Sequence, residues 1–412
     1  MILNLDRWRE IWDTLVQNKL RTVLTMLAMS WGIFMLVALL GLGNGLQNGV
    51  ANGFADDAVN SVWIFGGQTS KAHQGMPIGR KIVFDNRDVD HTAQVPGVEA
   101  LSGRYVITQS DVRVRVGAKV SSFDVRAVHP GHQIIEKTIM IVGRYLNQAD
   151  MASRRKVCLV GIPVAEFFFG GRDVVGKWIQ IGNIPFEIVG VFDDEGGEAE
   201  LRKVYVPITT AQTAWSGGEK VHQIMFTVAD DSTVDESKRI ADGVKGRIAA
   251  HHNFDADDPM AMRVRNNLEN FDRFQKIFRM IDIFVWLMGA CTIVAGVVGV
   301  SNIMMIIVRE RTKEIGIRKA LGATPWNIVS TILQEAIVLT AAAGYLGLVA
   351  GVGFLELISS MVPKNEMFAH PQVDLRVALA ATAVLVASGA VAGFFPARAA
   401  ARVNPIIALR DE

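Results

Sequence analysis

Four stretches of this chain are too long, too apolar and too free of charge to stay in water, and more than 200 largely polar residues separate the first from the second. No charged residue lies between Arg21 and Asp56, and none occurs in the 26 residues between Asp282 and Arg309. The run from Glu335 to Glu356 is uncharged and rich in Leu, Val, Ala and Gly, and 21 uncharged residues separate Arg376 from Arg398. About twenty apolar residues cross roughly 30 Å of hydrocarbon, so each run is long enough. The pattern predicts a membrane protein: four transmembrane α-helices, at 22–46, 281–308, 328–360 and 374–397, with a large α+β extracytoplasmic domain inserted between helices 1 and 2. A cleaved signal peptide is the rival for the first run, but its apolar core would be shorter and would end at a small-residue cleavage site. Here Gly41, Gly43, Asn44 and Gly45 follow without one.

Lys and Arg in short flanks orient the spans. Arg7, Arg9, Lys19 and Arg21 precede the first, Arg309, Arg311, Lys313, Arg318 and Lys319 separate the second from the third, and Arg398, Arg402 and Arg410 follow the fourth. The connection between the third and fourth offers only Lys364 and Arg376. Both termini and the 309–327 element are therefore expected in the cytoplasm, and 47–280 outside. Leu5, Trp8, Trp12 and Leu15 recur at helical spacing opposite Asp6, Arg7, Arg9 and Glu10, which predicts an amphipathic interfacial helix over 1–21.

The inserted segment mixes signals. Val112, Val114 and Val116 alternate with Arg113 and Arg115; 188–192 and 203–207 read as two strands around a turn; 233–249 reads as helical. Motifs that would make it an enzyme fail on inspection. Gly171, Gly176 and Lys177 match part of a phosphate-binding loop, but Trp178 stands where Ser or Thr should meet magnesium; a glycine-turned β-hairpin is the expected structure. Asp193, Asp194, Glu195, Glu198 and Glu200 lack calcium-loop spacing and read as a solvated loop tip. His129 and His132, or His251 and His252, have no third and fourth ligands at recognisable spacing, so no metal site is expected. There is no G-x-S-x-G elbow and no catalytic constellation. Cys158 lies in the polar segment and Cys291 in an apolar run, so no disulfide is expected. A net charge of +1 with no basic stripe argues against nucleic acid as a partner.

Two segments remain. From Arg309 to Pro325 the chain is densely charged, and Glu310 and Glu314 can pair with Lys313 and Arg318 at i+3 and i+4. Gly322 and Pro325 then turn it, and Trp326 returns to the interface. On physical grounds this is equally an element that passes force between two spans or a positive anchor that sets topology. Glu335 is a costly charge close to the membrane, read either as paired near this element or as exposed at the interface. The second segment, Gly393 to Arg410, places Pro396 where it can kink the last span, with small residues after it that allow close helix packing.

These two segments closely resemble the signature regions of the MacB/FtsX-like permeases, membrane subunits of a class of ABC transporters. The resemblance rests on Glu310-Arg311-Thr312, Glu314 to Arg318, Ala320, Gly322 and Ala323, and on Pro396-Ala397-Arg398, Ala400-Ala401-Arg402, Pro405 and Ala408-Leu409. Leu20 to Leu27, Leu42 to Gly45 and parts of the polar segment, including Asp173 to Lys177 and Val189 to Val191, extend it over nearly the whole chain.

The resemblance implies that the turn before the third span docks on a cytoplasmic ATPase, with Arg311, Glu314, Ile315, Gly316, Arg318, Lys319 and Gly322 as the coupling surface and Pro396, Arg398, Arg402 and Pro405 as the C-terminal motif. It implies no cofactor in this chain, with ATP and Mg bound by a separate ATPase subunit, and no catalysis by the chain itself. Implied partners are an ATPase dimer, a second permease copy or paralogue, a periplasmic adaptor, an outer-membrane channel and the lipid bilayer, with the chain itself in the bacterial inner membrane. Movement would pass through long helices, one leading out through 45–60 and one leading in through 263–282. The outer domain would divide into a membrane-proximal part, 57–126 with 221–262, and an inserted β-rich part, 127–220. The implied activity is export or extraction of a substrate; the alternative is a transducer that activates an extracytoplasmic hydrolase.

Overall fold

In a computed structural model of the protein, residues 19–53, 57–107, 112–194, 198–361 and 375–404 are described. The interfacial helix expected over 1–21 falls almost wholly outside them, as does Pro405. The chain divides into two compact units, one formed by residues 1–50 with 277–412 and the other by 51–276.

The first unit is helical. Its described elements are α1 (Lys19–Gly53), α2 (Asn267–Glu310, whose first residues belong to the other unit), α3 (Thr312–Ala320), α4 (Pro325–Met361) and α5 (Leu375–Ala401). Among the described residues, three helices are long and apolar enough to cross a membrane: Thr22–Val50, Asn267–Glu310 and Pro325–Met361. Small residues let these helices approach closely, as they do where lipid removes the hydrophobic drive between helices. A Cβ on Gly347 of α4 would stand 2.4 Å from the Ser30 carbonyl oxygen of α1, and the Ser30 hydroxyl donates to the Ala343 carbonyl at 2.6 Å. A Cβ on Gly393 of α5 would meet Ala336 of α4 at 2.8 Å. Gly299 and Gly353 have open space beside them among the described residues.

The second unit is built on one sheet of twelve strands. Its order runs Met262–Asn266, Ser61–Gly66, Gln223–Thr227, Leu101–Val106, Asp124–Val128, Lys203–Pro207, Val157–Gly161, Ile184–Asp193, Trp178–Ile181, Val114–Val116 and Lys119–Ser121, with Ile139–Gly143 also paired to Ile184–Asp193. Val157–Gly161 is an unbroken apolar run because it is buried on both faces, between a parallel and an antiparallel neighbour. That strand corrects one expectation: 188–192 and 203–207 are strands, but Val157–Gly161 lies between them, so they are not a hairpin. A second correction concerns 171–177. These residues connect the helix Ile162–Phe169 to the strand Trp178–Ile181, after a left-handed Gly170 cap. The expected hairpin is absent, and the order is helix-to-strand, opposite to the strand-to-helix order a phosphate loop needs. A third is that Arg263 to Asn266 are strand, and the helix expected to lead inward begins only at Asn267. The helix read at 233–249 runs Val234–His252, capped by the Thr233 hydroxyl accepting from the Glu236 N–H. Cys158 is buried in the sheet and Cys291 is exposed on α2, both as free thiols.

One buried polar group holds this unit together. Glu136 is only 4% exposed. It accepts from Arg126 Nη1 at 2.9 Å and from the Tyr205 hydroxyl at 2.7 Å, and His132 Nε2 lies 3.3 Å away. Burial alone would raise its pKa, but His132, Arg126 and Lys203 together hold it well below the usual carboxylate range. A carboxyl depressed on folding adds stability that is fully present above its unfolded value, about 4.3, and is lost as pH falls through the folded value. Glu136→Gln is expected to cost about 3–5 kcal/mol at neutral pH, because it removes the buried carboxylate that Arg126, His132 and Lys203 share and leaves Arg126 only its pairings with Asp124 and Glu200, and to flatten the loss of stability in acid. Denaturant unfolding between about pH 3 and pH 7 checks both; an unchanged acid limb refutes the assignment.

Candidate functional site: the α2–α4 connector

The connector forms by ordinary local rules. α2 ends at Glu310, and Arg311 leaves helical geometry (φ −95°, ψ 13°) before α3 begins. Thr312 completes the break by donating its hydroxyl to the Val308 and Arg309 carbonyls at 3.0 and 2.8 Å. α3 stops because Gly322 takes φ +94°, which glycine adopts without steric cost, and the Ala323 N–H then closes on the Arg318 carbonyl at 2.9 Å. Pro325 opens α4 in the first helical position, where the Thr324 hydroxyl accepts from the Asn327 N–H at 3.3 Å.

Arg311 is the hub. Its guanidinium grips Glu314 with two hydrogen bonds, Nε to Oε2 at 2.8 Å and Nη2 to Oε1 at 3.0 Å, and donates through Nη1 to Glu335 Oε1 at 3.0 Å. Arg318 adds a bond to Glu314 Oε1 at 2.7 Å. Glu335 lies on α4 and is only 3% exposed, which decides between the two readings of that residue: it is a buried, paired acid. Glu314 is held below the ordinary carboxylate range chiefly by its hydrogen bond to Arg311. Planar bidentate pairing of this kind is geometrically specific and particular to arginine.

Lys319 does something the sequence did not signal. Its ammonium donates to the carbonyls of Ala401 and Val403, at 2.8 and 2.7 Å, capturing acceptors that the end of α5 leaves unsatisfied. Ile315 packs in one apolar cluster with Val308, Ile328, Ile332, Ala397 and Ala400. The two signature segments are therefore one body, joined across α3 and the end of α5.

The structure sorts the sequence-predicted residues accordingly. Ile315 and Gly316 are buried, Arg311 and Lys319 are spent on internal bonds, and Gly322 makes the turn. Pro396 is buried within α5, which continues through it to Ala401, while Arg398 and Arg402 are exposed one turn apart. What α3 and the start of α4 present outward is an apolar set outside the expected coupling surface. Ile317 is 44% exposed, Leu321 84% and, at the start of α4, Trp326 74%. Lys313, Ile317 and Leu321 recur every fourth residue, the spacing of one helix face; that periodicity was the available signal, masked by the charges around it.

The other sequence candidates are occupied elsewhere. His129 Nδ1 accepts from the Gly103 N–H at 2.9 Å, His132 faces Glu136, and Glu200 pairs with Lys203 and, at 3.6 Å, with Arg126. Glu195 lies outside the described residues.

Comparison with known proteins finds two matches along the chain. Residues 22–242 match the MacB-like periplasmic core domain, and residues 286–405 match the FtsX-like permease C-terminal region. The chain is 27% identical over 409 residues to the macrolide export ATP-binding/permease protein MacB of Bdellovibrio bacteriovorus, covering 97% of this chain and 61% of that protein. It is 29% identical over 419 residues to the pyoverdine export ATP-binding/permease protein PvdT of Pseudomonas entomophila, covering 98% of this chain and 59% of that protein. It thus spans about three fifths of the length of these relatives. Among solved structures, the periplasmic region of MacB from Actinobacillus actinomycetemcomitans aligns with a TM-score of 0.43 at 17% identity, over 54% of this chain and 95% of that one. With a core-domain match across more than half its length and a permease match over most of the remainder, the chain belongs to the MacB/FtsX-like permease family.

Proposed function

We propose that this chain is the permease of an ATP-driven exporter and that its α2–α4 connector receives the stroke of a cytoplasmic ATPase. The observation that carries the reading is the web centred on Arg311 and Lys319. It ties the end of α2, the whole of α3, the start of α4 and the end of α5 into one block, whose outward face is apolar and, among the described residues, exposed at Ile317 and Leu321. A push on α3 must then move three long helices together, because packed, hydrogen-bonded elements shift as units. Burying Ile317 and Leu321 supplies affinity, and Lys313, Arg398 and Arg402 orient the contact. The buried members of the expected coupling surface act from beneath it, as its support.

In this reading α5 is a fourth span, both termini lie in the cytoplasm, ATP and Mg belong to the ATPase, and the sheet-rich unit works outside the membrane, where an adaptor meets it. The exported substrate is of the class handled by its relatives, which are named for macrolide and pyoverdine export.

Topology is the decisive test. In a chain with Cys158 and Cys291 replaced, Lys156→Cys should react with a membrane-impermeant maleimide on intact cells. Lys313→Cys should react only after the membrane is opened. Labelling of both from the same side ends the proposal.

A further inference from the structure

We infer a binding site for a late first-row divalent cation of the zinc type in the sheet-rich unit, formed by Asp88, His251 and His252 with Asp85 as a fourth ligand. The inference stands on that unit alone and does not depend on the transport reading. One potential ligand atom from each of Asp88, His251 and His252 lies within 4.8 Å of the others. The elements that bring them together have independent reasons to form. Asp85 caps the helix Asn86–Ala93, its Oδ1 accepting from the Arg87 and Asp88 N–H groups, and Asp88 Oδ2 accepts in return from the Asp85 N–H at 2.8 Å. The helix Val234–His252 delivers both histidines from its last turn, where its dipole favours positive charge.

His252 Nε2 stands 2.7 Å from Asp88 Oδ2, and His251 Nε2 stands 3.4 Å from Asp85 Oδ2. Two ligands on one tetrahedral zinc, each about 2.0–2.1 Å from the metal, are roughly 3.3 Å apart. The second pair already has that spacing, and the first needs about half an ångström of opening. His–Asp hydrogen bonds that merely tie two helix ends together would explain these two contacts, but they do not explain Asp88 Oδ1. That oxygen is fully buried and has no hydrogen-bond partner, a state that costs about 1–3 kcal/mol or more for a charged group. A cation held by both oxygens of Asp88 satisfies it. Two imidazoles with one or two carboxylates select zinc, nickel or copper over calcium or magnesium, which prefer oxygen alone. Asp85 and the histidines remain partly exposed, so an ion can enter. His91 packs its ring edge-on against His251, with centroids 5.2 Å apart.

The test uses the full chain, purified in detergent and stripped with a chelator. Zinc chloride titrated in by calorimetry is expected to bind one ion per chain, and magnesium chloride to give no heat. His251→Gln and His252→Gln should each weaken zinc binding by at least about tenfold, the lower end of what even losing a supporting partner costs a metal site. If either variant misfolds, the unaltered chain still decides. Zinc should protect His251 and His252 from diethylpyrocarbonate while His73 continues to react, read by peptide mass spectrometry. Absence of saturable zinc binding overturns the site, and so does binding that leaves both histidines fully reactive.

Discussion

Arg311→Leu is expected to destabilise the helical unit by about 3–5 kcal/mol, the cost of removing one partner from a buried ion pair. The substitution leaves Glu335, almost fully buried on α4, without the guanidinium 3.0 Å away that balances it. It also removes the bidentate contact to Glu314 that fixes the start of α3 against the end of α2, leaving Glu314 only its bond from Arg318. The direct readout is the midpoint of thermal unfolding in detergent, or the yield of folded protein where the loss exceeds the margin of about 5–15 kcal/mol that proteins keep. A cycle separates the pair from the packing: Arg311→Leu with Glu335→Leu should recover most of the loss, because an apolar pair of similar volume can replace a buried ion pair at little cost. If the double variant is no more stable than the single one, the pair is not what joins α3 to α4. Arg311→Lys should rescue only partly, since a lysine cannot form the two-pronged contact with Glu314 while also reaching Glu335.

The second large effect concerns the partner. Ile317→Glu together with Leu321→Glu should abolish retention of the ATPase during co-purification, with affinity reduced about a hundredfold or more. Fully burying one such side chain is worth about 1.5–3 kcal/mol, and every 1.4 kcal/mol is tenfold in affinity. The double change adds two charges to a contact that would have to desolvate them. Because both positions face outward, the helical unit itself should keep its stability within about 0.5 kcal/mol per site; this distinguishes the result from Arg311→Leu, which damages the block from within. Undiminished association would mean that the ATPase docks elsewhere, and the block would then be an anchor and not a receiver.

Much of this organisation was legible in the sequence for a physical reason. Spanning a bilayer demands an uncharged run of fixed length, and helical pairing demands partners three or four residues apart, so both leave local marks. The Glu314–Arg318 pair, the turn at Gly322 and the start of α4 at Pro325 were readable in that way. So was the helix from Val234 to His252. Strand neighbours were not: 188–192 and 203–207 carry good strand patterns, but only the fold could insert Val157–Gly161 between them. The connector shows the same limit. Its residues were identified together as a surface, but Ile315 and Gly316 turn inward and Lys319 reaches the carbonyls of Ala401 and Val403, while Ile317 and Leu321 were left to face out.

The sequence by itself determined that the chain carries apolar runs long enough to cross a membrane, which flanks carry the positive charge, and which short segments bear the family's signature. Those properties are set by hydrophobic length, by charge near the bilayer and by residue order, none of which needs a partner. Tertiary structure alone decided that Arg311 serves Glu335, that Lys319 closes α5, and that Asp88 meets two histidines more than 160 residues away. Such pairings depend on which elements pack together, and no local periodicity records what a side chain will face once distant parts of the chain are brought into contact.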